Sequence, residues 1–356
     1  MTTPILADLT RPVTGGVDTH KDTHVGAVID GLGRELATES FPTTVAGYQQ
    51  LLDWMRTFGT IDRVGIEGTG SWGAGLTRYL HAAGIDVAEI NRTNRQHRRR
   101  HGKTDPADAV AAARACLAGL DAGIPKFGDG PVEAIRMLRI ARRSAVQTRT
   151  RTMNQIRSML DTAPDSIRDR YRHLSPAKLT IALARTRPDA MSIADTEVAA
   201  TIALRNLARR WRFLSDQIAE LEVYLENLVA ETAPNLLAVH CVGVETAAAL
   251  LIAAGDNPDR LGSQSAFAAL CGVNPIPASS GKTVRYRLNR AGNRDANSAL
   301  FRIVLARMSH DQRTRDYVER RTAEGRTKRE IMRILKRYVA RELYPVLVRD
   351  LDNFAR

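Results

Sequence analysis

The chain has 356 residues, 44% hydrophobic and 26% charged, which is the balance of a soluble globular protein with room for two or three domains. A net charge of +13, from 52 Lys and Arg against 39 Asp and Glu, points to a polyanionic partner, of which nucleic acid is the commonest. Cys116, Cys241 and Cys271 are too far apart for a CxxC zinc site or a disulfide framework, so both are excluded.

The opening MTTPILADLTRP has no apolar signal core and no later run reaches membrane length, so a cytoplasmic protein with no membrane partner is expected. GGVDTH and HVGAVID then read as two strands joined by a short polar link. The turn DGLGRE leads to a third strand, LATESF, completing an antiparallel meander. A helix at about Val45–Phe58 has Leu51, Leu52, Trp54 and Met55 as its apolar set. A strand at Arg63–Glu67, a helix from about Ser71 to Ala83, a strand at Ile85–Ile90 and the helix TDPADAVAAARACLAGL complete a domain over residues 12–125. Three strands followed by α/β/α/β/α is the element order of a ribonuclease-H-type fold, although a doubly wound sheet also satisfies the pattern.

Residues 131–232 read as almost entirely helical. Leu207, Trp211, Leu214, Ile218, Leu221, Leu225 and Leu228 recur at 4-3-4-3-4-3 spacing, a heptad seam that requires a coiled-coil partner. That partner is either the first helical arm, through Leu138, Met153, Ile156 and Leu160, or another subunit. Seven arginines between Arg136 and Arg157 form either a solvated helix face or a nucleic-acid-facing arm. Residues 233–356 read as helices around an irregular centre. AVHCVGVETAAALLIAAGD resembles a helix-hairpin-helix, with Cys241 where that pattern usually has its first glycine.

The chemistry-bearing residues fall into three groups. Asp18 and Glu67 close strands, while Asp105 and Asp108 open a helix, with Thr104 as N-cap and Pro106 in the first turn. Spacing of i, i+3 sets the two aspartates on one helix face, and the positive end of the helix dipole favours their ionised forms. If the strand ends and the helix converge, four hard oxygen donors would bind Mg²⁺ (or Mn²⁺), and a pair of such ions stabilises both oxygens of a phosphoryl transfer. Immediately before the helix lies NRTNRQHRRRHGKTD, whose Arg95, Arg98, Arg99, Arg100 and Lys103 suit a phosphate clamp. Aromatic content of 5% argues against base stacking as the main binding mode.

The third group is PASSGKTVRYRLNRAGN, where Ser279 and Ser280 precede Gly281 and are followed by Lys282, Arg285, Arg287 and Arg290. A serine needs something to take its proton or to stabilise developing charge, and these cations suit the second role. The same loop also reads as a plain phosphate-binding turn. Gly68, Gly70 and Gly73 spell the dinucleotide fingerprint G-x-G-x-x-G, with Glu89 about twenty residues further on. It follows a later strand rather than the first, and Glu67 beside it would repel a pyrophosphate.

Together GGVDTHKDTH, VGIEGTGSWG, RRRHGKTDPADA and LCGVNPIPASSGKTVRYRLNRAGN resemble the IS-one-ten family of insertion-sequence transposases, in the right order along almost the whole chain. The resemblance implies a RuvC-like amino domain, a helical coiled-coil middle and a mostly helical, serine-bearing carboxy-terminal domain. It implies that Asp18, Glu67, Asp105 and Asp108 bind the metal and that Ser280 is the nucleophile, although Ser279 stands where the family commonly has glutamine. A structured bridge RNA pairing with donor and target DNA is implied as well, as is a dimeric or tetrameric assembly. On this reading the enzyme cuts and rejoins DNA through a phosphoserine. Its rivals are a hydrolytic, junction-resolvase-like nuclease, which needs the acids but not the serine, and a non-enzymatic nucleic-acid organiser built on the coiled coil.

Overall fold

The computed structural model describes residues 10–90, 104–119, 122–279 and 286–354. Strands β1 (Pro12–Thr19), β2 (Thr23–Asp30) and β3 (Glu35–Pro42) form the antiparallel meander expected from the sequence. The chain then crosses over, and β4 (Thr60–Glu67) pairs parallel to β1, while β5 (Val87–Ile90) pairs parallel to β4. A two-residue strand, β6 (Ala122–Gly123), closes the edge, giving the order β3-β2-β1-β4-β5-β6. β1 and β2 are buried from their second residue onward because both faces of the sheet are covered.

One face is covered by α1 (Val45–Arg56) and α2 (Ala74–Ala82), whose Leu51, Leu52, Met55, Leu76 and Leu80 pack on Val17, Val64 and Ile66. Thr44 caps α1 by accepting from the Gly47 amide at 3.1 Å. α2 starts three residues later than the apolar spacing predicts. Gly68 adopts φ 78°, and its carbonyl accepts from the Ser71 and Gly73 amides, so residues 68–73 form a turn before the helix.

The opposite face is covered by α3 (Asp105–Leu117), a helix of small residues that lies unusually close to the strands. A Cβ at Gly16 would sit 2.3 Å from the Ala109 carbonyl oxygen, and one at Gly65 would sit 2.7 Å from that of Ala112. Glycine on the sheet and alanine on the helix therefore set this approach together.

Two long helices follow, α4 (Pro131–Thr162) and α7 (Thr196–Thr232), with short α5 (Asp165–Tyr171) and α6 (Pro176–Ala184) between them. The seam of α7 finds its partner within the chain. Arg142 pairs with Glu222, Ala145 and Val146 pack with Leu214 and Ile218, and Ile156 and Leu160 lie against Leu204 and Ala208, so α4 and α7 run antiparallel. Of the seam residues Leu214, Ile218 and Leu225 are buried, and the other four are partly so.

Six of the seven α4 arginines make contacts within the chain, although Arg143 keeps much of its side chain exposed. Arg136 pairs with Glu133, Arg139 with Glu245 and Asp295, Arg142 with Glu222 and Glu245, and Arg143 with Asp295. Arg149 lies 5.6 Å over the Trp211 ring, and Arg157 donates to the Arg172 and Leu174 carbonyls.

The largest core lies among α8 (Pro234–Leu237), α9 (Val244–Ala254), α10 (Gln264–Leu270), α11 (Arg294–His310) and α13 (Lys328–Phe354), and α12 (Gln312–Ala323) rests against it. Val132, Ile135, Leu225 and Val229, at the roots of the long helices, belong to the same core. Cys241, between α8 and α9, has φ 65° and is the one non-glycine with positive φ among the described residues. That is the position at which the hairpin pattern usually has glycine. Within the expected irregular centre, β7 (Pro275–Pro277) and β8 (Tyr286–Leu288) pair as a short hairpin. Among the described residues no helix is long and apolar enough to cross a membrane.

Candidate active site

Parallel pairing sets Val17 beside Ile66 at the carboxy ends of β1 and β4, so Asp18 and Glu67 are the next residues on adjacent strands. Strand alternation assigns Asp18 to the face of Gly16 and Glu67 to the face of Gly65, which is the face α3 covers. The Thr19 hydroxyl donates to the Glu67 carbonyl at 2.8 Å, tying the two strand ends together. Across from them α3 starts at Asp105, with Pro106 in its first turn and Asp108 buried. Thr104 occupies the N-cap with extended backbone, but its side chain makes no capping bond, contrary to expectation.

The acids do not meet alone. His20 Nε2 lies 3.2 Å from Asp18 Oδ2 and 3.4 Å from Asp105 Oδ1, and these three residues bring one ligand atom each to within 4.8 Å of one another. Sequence reasoning missed this histidine. The signal was its i, i+2 spacing from Asp18 at a strand end, which directs both side chains to one side. Burial pushes the Asp18 carboxyl pKa up. His20 pulls it down, and the like charges of Asp108 and Asp105 add to the rise.

Asp108 therefore acts on Asp18 electrostatically, and Glu67 stands at the neighbouring strand end, but neither belongs to the three-residue cluster. Grouped carboxylates of this kind disfavour one another unless a cation offsets them. The hard oxygen donors and one imidazole are ligands that a divalent ion accepts.

The clamp residues Arg95, Arg98, Arg99, Arg100 and Lys103 lie outside the described residues. In sequence they fall between β5 and Thr104. Ser280, Lys282 and Arg285 also lie outside the described residues, within the connection between β7 and β8. Ser279 enters that connection exposed, and Arg287 and Arg290 leave it exposed. The base of the hairpin is tightly held. A Cβ at Gly292 would meet the Gly272 amide nitrogen at 2.2 Å, and Asn297 Nδ2 donates to the Cys271 carbonyl at 2.8 Å. Arg139 and Arg143 fix Asp295 in the first turn of α11, just after the hairpin.

Two family models match the chain. One, of DEDD-type IS110 proteins and described as a transposase, covers residues 15–163. The other, described as the transposase IS116/IS110/IS902 family, covers residues 233–319. Among curated proteins, the 43.6 kDa protein of insertion element IS110 from Streptomyces coelicolor is 30% identical over 149 residues, 41% of this chain and 36% of that protein. A mini-circle putative transposase for IS117 from the same organism is 32% identical over 152 residues, 41% of this chain and 37% of its own length. The match thus spans little more than a third of each of these relatives. The 42 kDa protein of insertion element IS900 from Mycobacterium paratuberculosis is 24% identical over 95% of this chain and 96% of its own.

Proposed function

The chain belongs to the IS110 family of transposases, and from that premise we propose that it cuts and rejoins DNA as the recombinase of an insertion sequence. The carrying observation is the gathering of Asp18 and His20, at the end of β1, with Asp105, the first residue of α3, while the charge of Asp108 acts on Asp18. On this reading the sheet order and the one covering helix form a RuvC-like, ribonuclease-H-type domain over residues 12–125, followed by the long helical pair of residues 131–232 and a serine-bearing unit over 233–356.

A divalent ion, Mg²⁺ or Mn²⁺, held by Asp18, Glu67, Asp105 and Asp108 would supply Lewis acidity toward the phosphate oxygens. His20 holds Asp18 and Asp105 in register for that ion. Lys282, Arg285, Arg287 and Arg290 hold the phosphate and offset charge developing on it. The Ser280 hydroxyl attacks: the Oγ–P bond forms, the bond to the leaving sugar oxygen breaks, and the serine proton passes through water to that oxygen, which departs as a free hydroxyl. The serine ester keeps the free energy of the phosphodiester, so a later hydroxyl displaces Ser280 and reseals a strand without an outside energy source. A water nucleophile would dissipate it.

The basic run before α3 clamps backbone phosphates, while base pairing with a structured bridge RNA selects donor and target. Assembly as a dimer or tetramer brings the acids of one subunit to the serine of another.

The test is incubation of the purified chain with guide RNA, donor and target DNA and Mg²⁺. Recombined product with a covalent protein–DNA adduct is expected, whereas nicked product alone would establish a hydrolytic nuclease. Ser280→Ala should abolish the adduct, and its persistence would transfer the role to Ser279. Asp108→Asn should lower the rate about a hundred-fold or more, the scale of losing one catalytic group.

A further inference from the structure

A cleft of about 1010 Å³ opens between α11, α12 and α13, in a part of the molecule that the chemistry above does not use. Its floor is apolar, made by Val304, Leu335 and Val339. Tyr338, half exposed, stands on one wall in edge-to-face contact with Tyr317 at 6.0 Å. Arg320 and Arg321 lie over the Tyr317 ring at 5.4 and 5.5 Å, so Tyr317 is already engaged and Tyr338 is the ring left open.

The charges in the cleft are not balanced. Arg307 is committed to Glu342 through two hydrogen bonds of 2.7 and 2.9 Å. Asp311 is consumed as the N-cap of α12, accepting from the Thr314 amide at 3.0 Å. What remains is Arg313, Arg320 and Arg341 against Asp316, an excess of cations around an apolar floor. In a chain with only 5% aromatic residues, an open tyrosine ring within such a frame is a specific arrangement.

A flat heterocycle carrying an anionic tail matches these features part by part. The ring stacks on Tyr338 above the apolar floor, and the phosphate meets the arginines. We propose that this cleft captures an unpaired nucleotide of a polynucleotide strand through stacking on Tyr338 and phosphate contacts from Arg313 and Arg341. Duplex cannot use it, because paired bases present no free face. An acidic peptide would use the arginines but would leave the open ring without a purpose. The proposal rests on the nucleic-acid reading above for its class of ligand, but not on the cutting chemistry.

The experiment measures anisotropy of the full chain with a fluorescent single-stranded RNA, the same sequence as single-stranded DNA, and a duplex. All are measured in EDTA at fixed salt, so that loss of strand cutting cannot affect the result. Tyr338→Ala should weaken single strands by about five-fold or more, the low end of one stacked base, while duplex binding stays unchanged. Tyr338→Phe should restore binding, and Arg341→Gln, at an exposed guanidinium, should weaken the same probes. A larger effect on RNA identifies a guide strand as the source and a larger effect on DNA identifies a displaced strand. Equal losses on single strands and duplex, or no loss with either variant, would overturn the proposal. So would a change in oligomeric state by light scattering without a single-strand defect, since the cleft would then be a protein interface.

Discussion

His24 is fully buried beside Tyr48, with ring centroids 5.7 Å apart, and neither ring nitrogen finds a hydrogen-bond partner among the described residues. Burial pushes its pKa down, and His20 adds to that shift. The unfolded chain, with a histidine pKa of about 6.5, then binds the proton more tightly than the folded one. Stability should hold above that pH and decline below it, by at most about 1.4 kcal/mol per pH unit, levelling off beneath the folded-state pKa. Urea unfolding of wild type and His24→Phe across pH 5–8 checks this; equal pH slopes would remove His24 as the cause. His20 is the contrasting case, a half-exposed histidine between two carboxylates. Neither role was legible in the sequence, because DTHKDTH presents two histidines four residues apart in similar company. Only the turn from β1 to β2 sends one to the acids and the other into the core.

The arrangement of elements follows from where side chains are missing. α3 reaches the acids' face because Gly16 and Gly65 leave room for its backbone. Gly16→Ala should push α3 outward, misplace Asp105 and Asp108 relative to Asp18, and destabilise the fold by roughly 1–3 kcal/mol through overpacking. Mn²⁺ affinity by titration calorimetry, read alongside the melting temperature, checks it; unchanged values in both would show that the helix does not depend on this contact. Periodicity located α3, the meander and the heptad seam, because a 3.6- or 2-residue repeat is a local property. It did not reveal the fate of the α4 arginines, since Glu222, Glu245 and Asp295 that neutralise them arrive from distant helices. A run of cations looks identical in sequence whether it faces solvent, phosphate or the acids of another helix.

At the scale of the whole molecule the excess of +13 must be carried by cations outside such pairs. Binding to DNA should therefore weaken steeply with salt, and log K against log[salt] should lose about 0.9 in slope for each phosphate contact removed. Arg287→Ala and Arg290→Ala should each lower the slope by about that amount. Arg142→Ala, at a guanidinium held by Glu222 and Glu245, should leave the slope unchanged and lower the melting temperature instead. Anisotropy titrations between 50 and 200 mM salt separate the two behaviours; a full slope loss for Arg142→Ala would mean that the long helices face the nucleic acid.

The family, the charge, the strand and helix order and the four candidate acids were readable from the sequence alone. Each rests on composition, on short-range periodicity or on contiguous motifs such as TDPADA and PASSGK. Tertiary structure alone decided that α7 pairs with α4, that His20 joins Asp18 and Asp105, that Arg139, Arg142 and Arg143 pair with acids of other helices, and that Tyr338 opens onto a basic cleft. These features depend on residues tens to hundreds of positions apart being brought within a few ångströms, and a local pattern does not specify which distant partner packing will supply.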